Sequence, residues 1–152
     1  MIPSHAAPID TQRLLVPSLG ALYSRLAGPS TLLLRVVAGL ALVTHGYSKI
    51  LDPFKNSGMV EGLGFFPGVF WSPLLAATEF FGGIFLALGL FTRPAALGAT
   101  IVLLVTAWFH WVVQDQGYRG AEKSILWAAM CFYFVIHGGH YLSVDRALRR
   151  EI

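Results

Sequence analysis

Apolar residues gather along the chain into four long runs, Thr31–Ile50, Ser72–Leu90, Arg93–Val113 and Ala121–Gly138, with short polar or glycine- and proline-rich stretches between them. Crossing about 30 Å of hydrocarbon takes roughly 20 mostly apolar residues at about 1.5 Å of rise each, and each run has close to that length. The pattern predicts an all-α membrane protein, an antiparallel four-transmembrane-helix bundle spanning residues 31–145. Only Phe91-Thr92 separates the second run from the third, so these form a tight hairpin, with Pro94 in a first helical turn that tolerates it. The stretch Asp52–Trp71 is rich in Gly and Pro and ends in Phe65, Phe66, Phe70 and Trp71. It reads as a loop at the membrane interface with its aromatic rings at headgroup depth.

Residues 1–30 are too polar and proline-broken for a cleavable signal peptide. Leu15, Leu19 and Leu22 share a face between Arg13 and Arg25, which suits either an interfacial helix interrupted at Pro17 or a plain tail. Residues 146–152 form a basic C-terminal tail.

Composition sharpens the class. Of the 152 residues, 55% are hydrophobic and 12% charged, where a soluble domain carries about 25% charged. With a mean hydropathy of +0.63, this argues against nucleic-acid binding, disorder and an ordinary cytosolic enzyme, and names the lipid bilayer as the first partner. The net charge of +3 matters through its distribution. Arg13, Arg25, Arg35, Arg93, Arg146, Arg149 and Arg150 fall on one side of the expected bundle, against Lys49, Lys55, Arg119 and Lys123 on the other. The positive-inside rule then puts both termini in the cytoplasm and the protein in an inner (cytoplasmic) membrane. A single cysteine, Cys131, excludes an internal disulfide and dithiol chemistry.

Charges near a bilayer centre cost about 2.5–3.5 kcal/mol each on insertion scales, so each asks for a partner or a purpose. Arg35, Ala38, Leu42, His45 and Lys49 follow one helical stripe of the first run. Glu79 shares a stripe with Leu75, Gly82, Leu86 and Gly89, where glycines admit a neighbouring helix. His110 closes the third run, and Glu122 opens the fourth above Leu126, Ala129 and Tyr133. At 1.5 Å per residue, His45 lies about 7 Å, Glu79 about 10 Å and His110 about 5 Å from the outer ends of their runs, with Lys49 and Glu122 at the rim. Two readings meet here. The cluster is a ligand- or proton-handling pocket, in which Glu79, Glu122 and His45 exchange protons while Arg35, Lys49, His110, Trp108, Trp71 and Tyr133 hold the ligand. Alternatively, Glu79 with Lys49, or Glu122 with His45, are ion pairs that fix helix register. His45 and His110 also allow axial haem ligation, or a metal site shared with the two glutamates, although no E-x-x-H repeat supports a di-metal bundle. His137 and His140 read as interfacial residues, Trp108 and Trp111 as belt residues, and Cys131 as inert packing.

The set Arg35-x3-Gly39, Gly46-x2-Lys49, Glu79-x2-Gly82-Gly83, Gly89-Leu90-Phe91-Thr92-Arg93 and Gly120-Ala121-Glu122 resembles the DoxX family. The stretch Gly138-Gly139-His140-Tyr141-Leu142-Ser143-Val144-Asp145 resembles that family's closing element, with His140 in place of its arginine and Leu142 as an added residue. The resemblance implies a small four-span membrane protein, similar to the DoxD subunit of thiosulfate:quinone oxidoreductase. It further implies a membrane redox subunit that binds a quinone rather than a covalent cofactor and works with other membrane or redox subunits. A quinone suits the polar cluster, since each ring carbonyl needs a carboxyl or imidazole to exchange protons with, and Phe65, Phe66, Phe70, Trp71 and Trp108 form an aromatic mouth. The alternative is a non-enzymatic accessory or assembly subunit packed against a larger complex through its first two spans.

Overall fold

The computed structural model describes residues 14–140 and 142–148. Every element in them is helical: a 3-10 turn at Pro17–Leu19, α1 (Gly20–Leu51), α2 (Ser57–Gly62), α3 (Gly68–Leu88), α4 (Thr92–Trp108), a π-helical turn at Phe109–Val113, α5 (Gly117–His137) and α6 (Val144–Ala147). The four long helices run alternately up and down, and the register of their contacts shows it. Gly39 faces Gly83 and Ala87 while Gly46, further along α1, faces the earlier Glu79 and Phe80. α1 meshes most closely with α3 and α4 with α5, α3 joins α4, and a thinner seam between α5 and α1 closes the ring.

Among the described residues, three segments are long and apolar enough to cross a membrane: Pro17–Leu51, Gly68–Leu88 and Thr92–Val113. Four were expected. α5 has 21 residues, but Arg119, Glu122 and Lys123 in its first turns dilute its apolar content. The packing is inside-out relative to a soluble protein. The core is built largely of small residues, with Ala38, Ala96, Ala99, Ala128 and Cys131 around Leu42, Leu86, Leu103 and Phe134. Large side chains such as Leu33, Leu40, Ile101, Leu104, Phe132 and Ile136 point outward. Small residues inside let helices approach where no hydrophobic effect drives them together, and large ones outside meet lipid.

The element boundaries depart from all four apolar runs, and α5 starts at Gly117 rather than Ala121. α1 starts at Gly20, not Thr31, and absorbs Pro29. The hydroxyls of Ser24, Ser30 and Thr31 donate back to the carbonyls of Gly20 and Ala27, so these polar side chains on either side of the proline are paired within their own helix. A separate interfacial helix is therefore absent from Gly20 onward. Arg13, Arg149 and Arg150, on which the expected orientation partly rests, lie outside the described residues. α3 starts at Gly68 rather than Ser72 and so takes Phe70 and Trp71 out of the loop. Its backbone N–H at Gly68 donates to Glu61 Oε1 at 2.7 Å, an acceptor for an otherwise orphaned helix-start donor. The α-helix of the third run ends at Trp108, and the wider π turn that follows carries His110.

Glycine sets the α1–α3 spacing. A Cβ at Gly39 would lie 2.6 Å from the Gly83 carbonyl oxygen, one at Gly46 2.5 Å from the Phe80 nitrogen, and one at Gly83 2.7 Å from the Gly39 oxygen. All three partners are backbone and cannot turn away. Gly82, the residue on the Glu79 stripe, is by contrast in ordinary contact with α4.

The α3–α4 turn closes with Gly89 at φ +71, where the Gly89 and Leu90 N–H groups donate to the Leu86 and Phe85 carbonyls. Asp145 then fastens this turn. Its carboxylate accepts from the Phe91 N–H at 2.7 Å, the Thr92 N–H at 2.9 Å and the Thr92 hydroxyl at 2.7 Å. Its own N–H donates to the Gly89 carbonyl at 2.9 Å. Phe91 is held in the left-handed region at φ 46, a conformation that surrounding contacts must impose on a bulky residue.

Candidate functional site

At the Lys49 end of the bundle, α1 and α3 bring one ammonium and one carboxylate together. Lys49 Nζ donates to both oxygens of Glu79 at 2.6 Å, with the glutamate side chain 5% and the lysine side chain 27% exposed. The Gly46 contact makes this geometry available: it draws the α1 backbone onto the Glu79–Phe80 peptide one turn before Lys49. Burying two charges costs several kcal/mol per ion, and two short hydrogen bonds offset part of it.

Two cavities adjoin the pair. The larger, of about 500 Å³, is an apolar cleft between α3 and α4 roofed by α2. Leu75, Val102, Val105, Phe65, Trp71 and Phe109 make much of its wall, and Lys49, Thr78, Thr106 and His110 bring polar groups to it. The second, of about 300 Å³, lies between α1, α4 and α5. It is the more polar, edged by His45, Lys49, Glu79, His110, Gln116, Lys123 and Ser124, with Leu42, Leu103 and Trp127 as its apolar part. Lys49, Thr106 and His110 line both cavities, whereas Glu79 lines only the second. The roof is tied down by the Glu61–Gly68 bond and by the Ser72 hydroxyl, which donates to the Pro53 carbonyl at 2.5 Å.

The π turn places His110 at the border of the two cavities. Its Nδ1 lies 3.0 Å from Gln116 Oε1, and Gln116 Nε2 donates to Gln114 Oε1 at 2.8 Å, a polar chain leading to the exposed 114–116 segment. His45 is exposed in the α1–α5 seam, edge-on to Trp127 with ring centroids 5.0 Å apart.

The structure thus gathers His45, Lys49, Glu79 and His110 and adds Trp71 at the cleft. It leaves others out. Glu122 is exposed and lines neither cavity, as are Leu126, Ala129 and Tyr133 on the same stripe. That stripe points away from the bundle because Ala121, Ser124, Ala128 and Cys131 occupy the inward face of α5. Tyr133 stacks on His137 at 4.1 Å. Trp108 is 45% exposed, outside both cavities, and Phe66 and Phe70 are likewise exposed. Among the described residues no group of three or more His, Cys, Asp or Glu side chains is arranged to hold a metal ion.

Arg35 belongs to the opposite end. It lies fourteen residues from Lys49, about 21 Å along α1 at 1.5 Å per residue. Its side chain is 2% exposed, and it donates to the Gly139 carbonyl and, at 2.5 Å, to the Leu142 carbonyl. With Asp145 on the α3–α4 turn, it makes a clasp that ties the post-α5 segment across α1, α3 and α4. The sequence pattern of glycines, Ser143 and Asp145 marks this segment, but nothing in the apolar periodicity reveals its role. Burial, then the charges of Arg146 and Arg35, hold the His140 imidazole below its ordinary value of 6.5.

A helical bundle with small residues within, large apolar residues without and a buried ion pair at one end defines a membrane-protein class. The DoxX family model matches residues 30–111, so the chain belongs to the DoxX family of membrane proteins. An uncharacterized protein of Haemophilus influenzae is 30% identical over 122 residues, covering 74% of this chain and 85% of the relative. No solved structure matches.

Proposed function

We propose that this protein is the ligand-binding membrane subunit of a redox system and that the α3–α4 cleft takes a quinone-like molecule, a flat apolar ring bearing carbonyl oxygens. The observation that carries this reading is the cleft's division of labour. About 500 Å³ of mostly apolar space ends against Lys49, whose ammonium keeps one proton beyond the two it gives to Glu79 and so suits a carbonyl oxygen, with His110 beside it. Glu79 supports the site from behind, by holding Lys49 rather than by touching the ligand. Electrons reach or leave the ligand through a partner subunit carrying a flavin, haem or iron–sulfur centre. In this reading α5 is a fourth crossing, both termini are cytoplasmic, and the cleft faces the outer leaflet of a cytoplasmic membrane.

The test is purification in mild detergent, extraction into organic solvent and chromatography for bound quinone, with decylubiquinone quenching of Trp71 fluorescence as the binding assay. Val105→Trp fills the cleft without touching the ion pair and should abolish occupancy while leaving the fold intact. A purified protein that holds a stoichiometric partner but neither carries quinone nor binds decylubiquinone would favour an accessory subunit instead. For orientation, cysteines at positions 56 and 117 should label only from the non-cytoplasmic side.

A further inference from the structure

The second cavity is not needed to hold a ring in the cleft, and its shape suggests its own task. Glu79 is nearly enclosed, and the space beside it is edged by the exposed side chains of His45, Gln116 and Lys123. Going the other way, it ends on Leu42 and Leu103, both at most 5% exposed, well short of the Arg35 clasp. About 300 Å³ is many times the roughly 10–15 Å³ that one water requires, and the polar wall supplies the partners a water needs. His45, Lys49 and Glu79 face the space from α1 and α3, His110 from the π turn, and Lys123 and Ser124 from α5.

We propose that this cavity is a blind, water-filled inlet through which the Lys49–Glu79 pair exchanges protons with the solution at the Gln116 end only. The proposal rests on the cleft reading in one respect: the proton is destined for a ligand oxygen held at Lys49. When the Lys49 ammonium gives its proton to an anionic ligand oxygen, the amine is left neutral and the Glu79 charge is uncovered. One proton arriving from inlet water restores the ammonium, so one enters for each that leaves and no electron moves in this step. Lys49 reaches both compartments, so it passes the proton, while Glu79, confined to the wet side, holds the lysine in place. The apolar floor makes the inlet one-sided, so proton uptake does not by itself carry charge across the membrane.

Single cysteines in a Cys131→Ala background, with the full chain in lipid nanodiscs and in sealed proteoliposomes, test this. Ser124→Cys, a nearly isosteric change in the inlet wall, should react with a charged, water-soluble methanethiosulfonate at least tenfold faster than Ala128→Cys on the same buried face one turn deeper. In proteoliposomes the reaction should come only from the side on which Gln116→Cys reacts. Equal rates at Ser124→Cys and Ala128→Cys overturn the inlet, as does equal labelling from both sides. Saturating decylubiquinone should protect Val105→Cys in the cleft from N-ethylmaleimide while leaving Ser124→Cys labelling unchanged. Val105→Cys protected with Ser124→Cys unreactive overturns the inlet alone. Ser124→Cys reactive with Val105→Cys unprotected overturns the cleft reading, leaves the wet cavity standing and removes the ligand as the destination of its protons.

Discussion

Lys49 and Glu79 are joined by two hydrogen bonds of 2.6 Å, yet only Lys49 reaches the apolar cleft. The two residues therefore differ in role although they share one interaction. Glu79→Gln leaves a partly buried ammonium with a neutral partner and should lower stability on the order of 3 kcal/mol, the scale for breaking a buried pair. The double variant Lys49→Met/Glu79→Leu removes both charges and should recover most of that stability without recovering decylubiquinone binding. Thermal melts beside fluorescence titrations of the three proteins check this. A Glu79→Gln protein that melts early but binds decylubiquinone normally would reduce the pair to a structural one.

Gly46→Ala should loosen α1 from α3. The new methyl meets the backbone nitrogen of Phe80 at 2.5 Å, so the helices must part. The expected cost is about 1–3 kcal/mol, the range for overpacking a close contact. Gly58→Ala, at a position where a Cβ meets nothing, should have no comparable effect. Detergent melting temperatures of the two proteins give the comparison.

Asp145→Asn should release the clasp. The amide keeps one acceptor oxygen but turns an NH2 group toward the Phe91 or Thr92 donors, so at least one charge-assisted bond is lost. A loss of about 2 kcal/mol is expected. Limited proteolysis should then cut after α5 sooner than in the wild type, with the cleft still able to bind decylubiquinone.

Acid should act on the same clasp through His140. Its folded-state value is held below 6.5 by burial and by Arg146 and Arg35, so the unfolded chain takes up the proton first. The contribution is present above pH 6.5 and is lost as pH falls through the lower folded value. Melting temperature should decline more steeply over that window in the wild type than in His140→Gln.

The apolar runs made the four long helices legible, because 20-residue hydrophobic stretches carry strong signals of length and composition. Depth along each helix was also readable from residue rise, and four residues of that level, His45, Lys49, Glu79 and His110, line one cavity. What depth does not contain is direction around the helix axis. Glu122 lies at the right level but on the outward stripe. The small residues Ala121, Ser124, Ala128 and Cys131, at the spacing of one face, were the available sign of which side of α5 turns inward. Arg35 shared the Lys49 stripe and so looked like part of one site, although about 21 Å of helix separates them. The clasp escaped periodicity altogether, since it is made by carbonyls of an irregular segment and by a carboxylate that caps a turn.

The clasp also decides where the bundle can move. Arg35 and Asp145 stitch α1, the α3–α4 turn and the post-α5 segment together at one end, and glycine contacts lock α1 against α3 along their length. The α4–α5 hairpin, at its end far from the clasp, meets α1 across the thin α1–α5 seam and stands beside the roofed cleft. The molecule is built like a peg sprung at one end, with its jaws at Lys49. Both cavities lie between the two hairpins, so any parting of the hairpins would widen both at once, around a fulcrum about 21 Å of helix from Lys49.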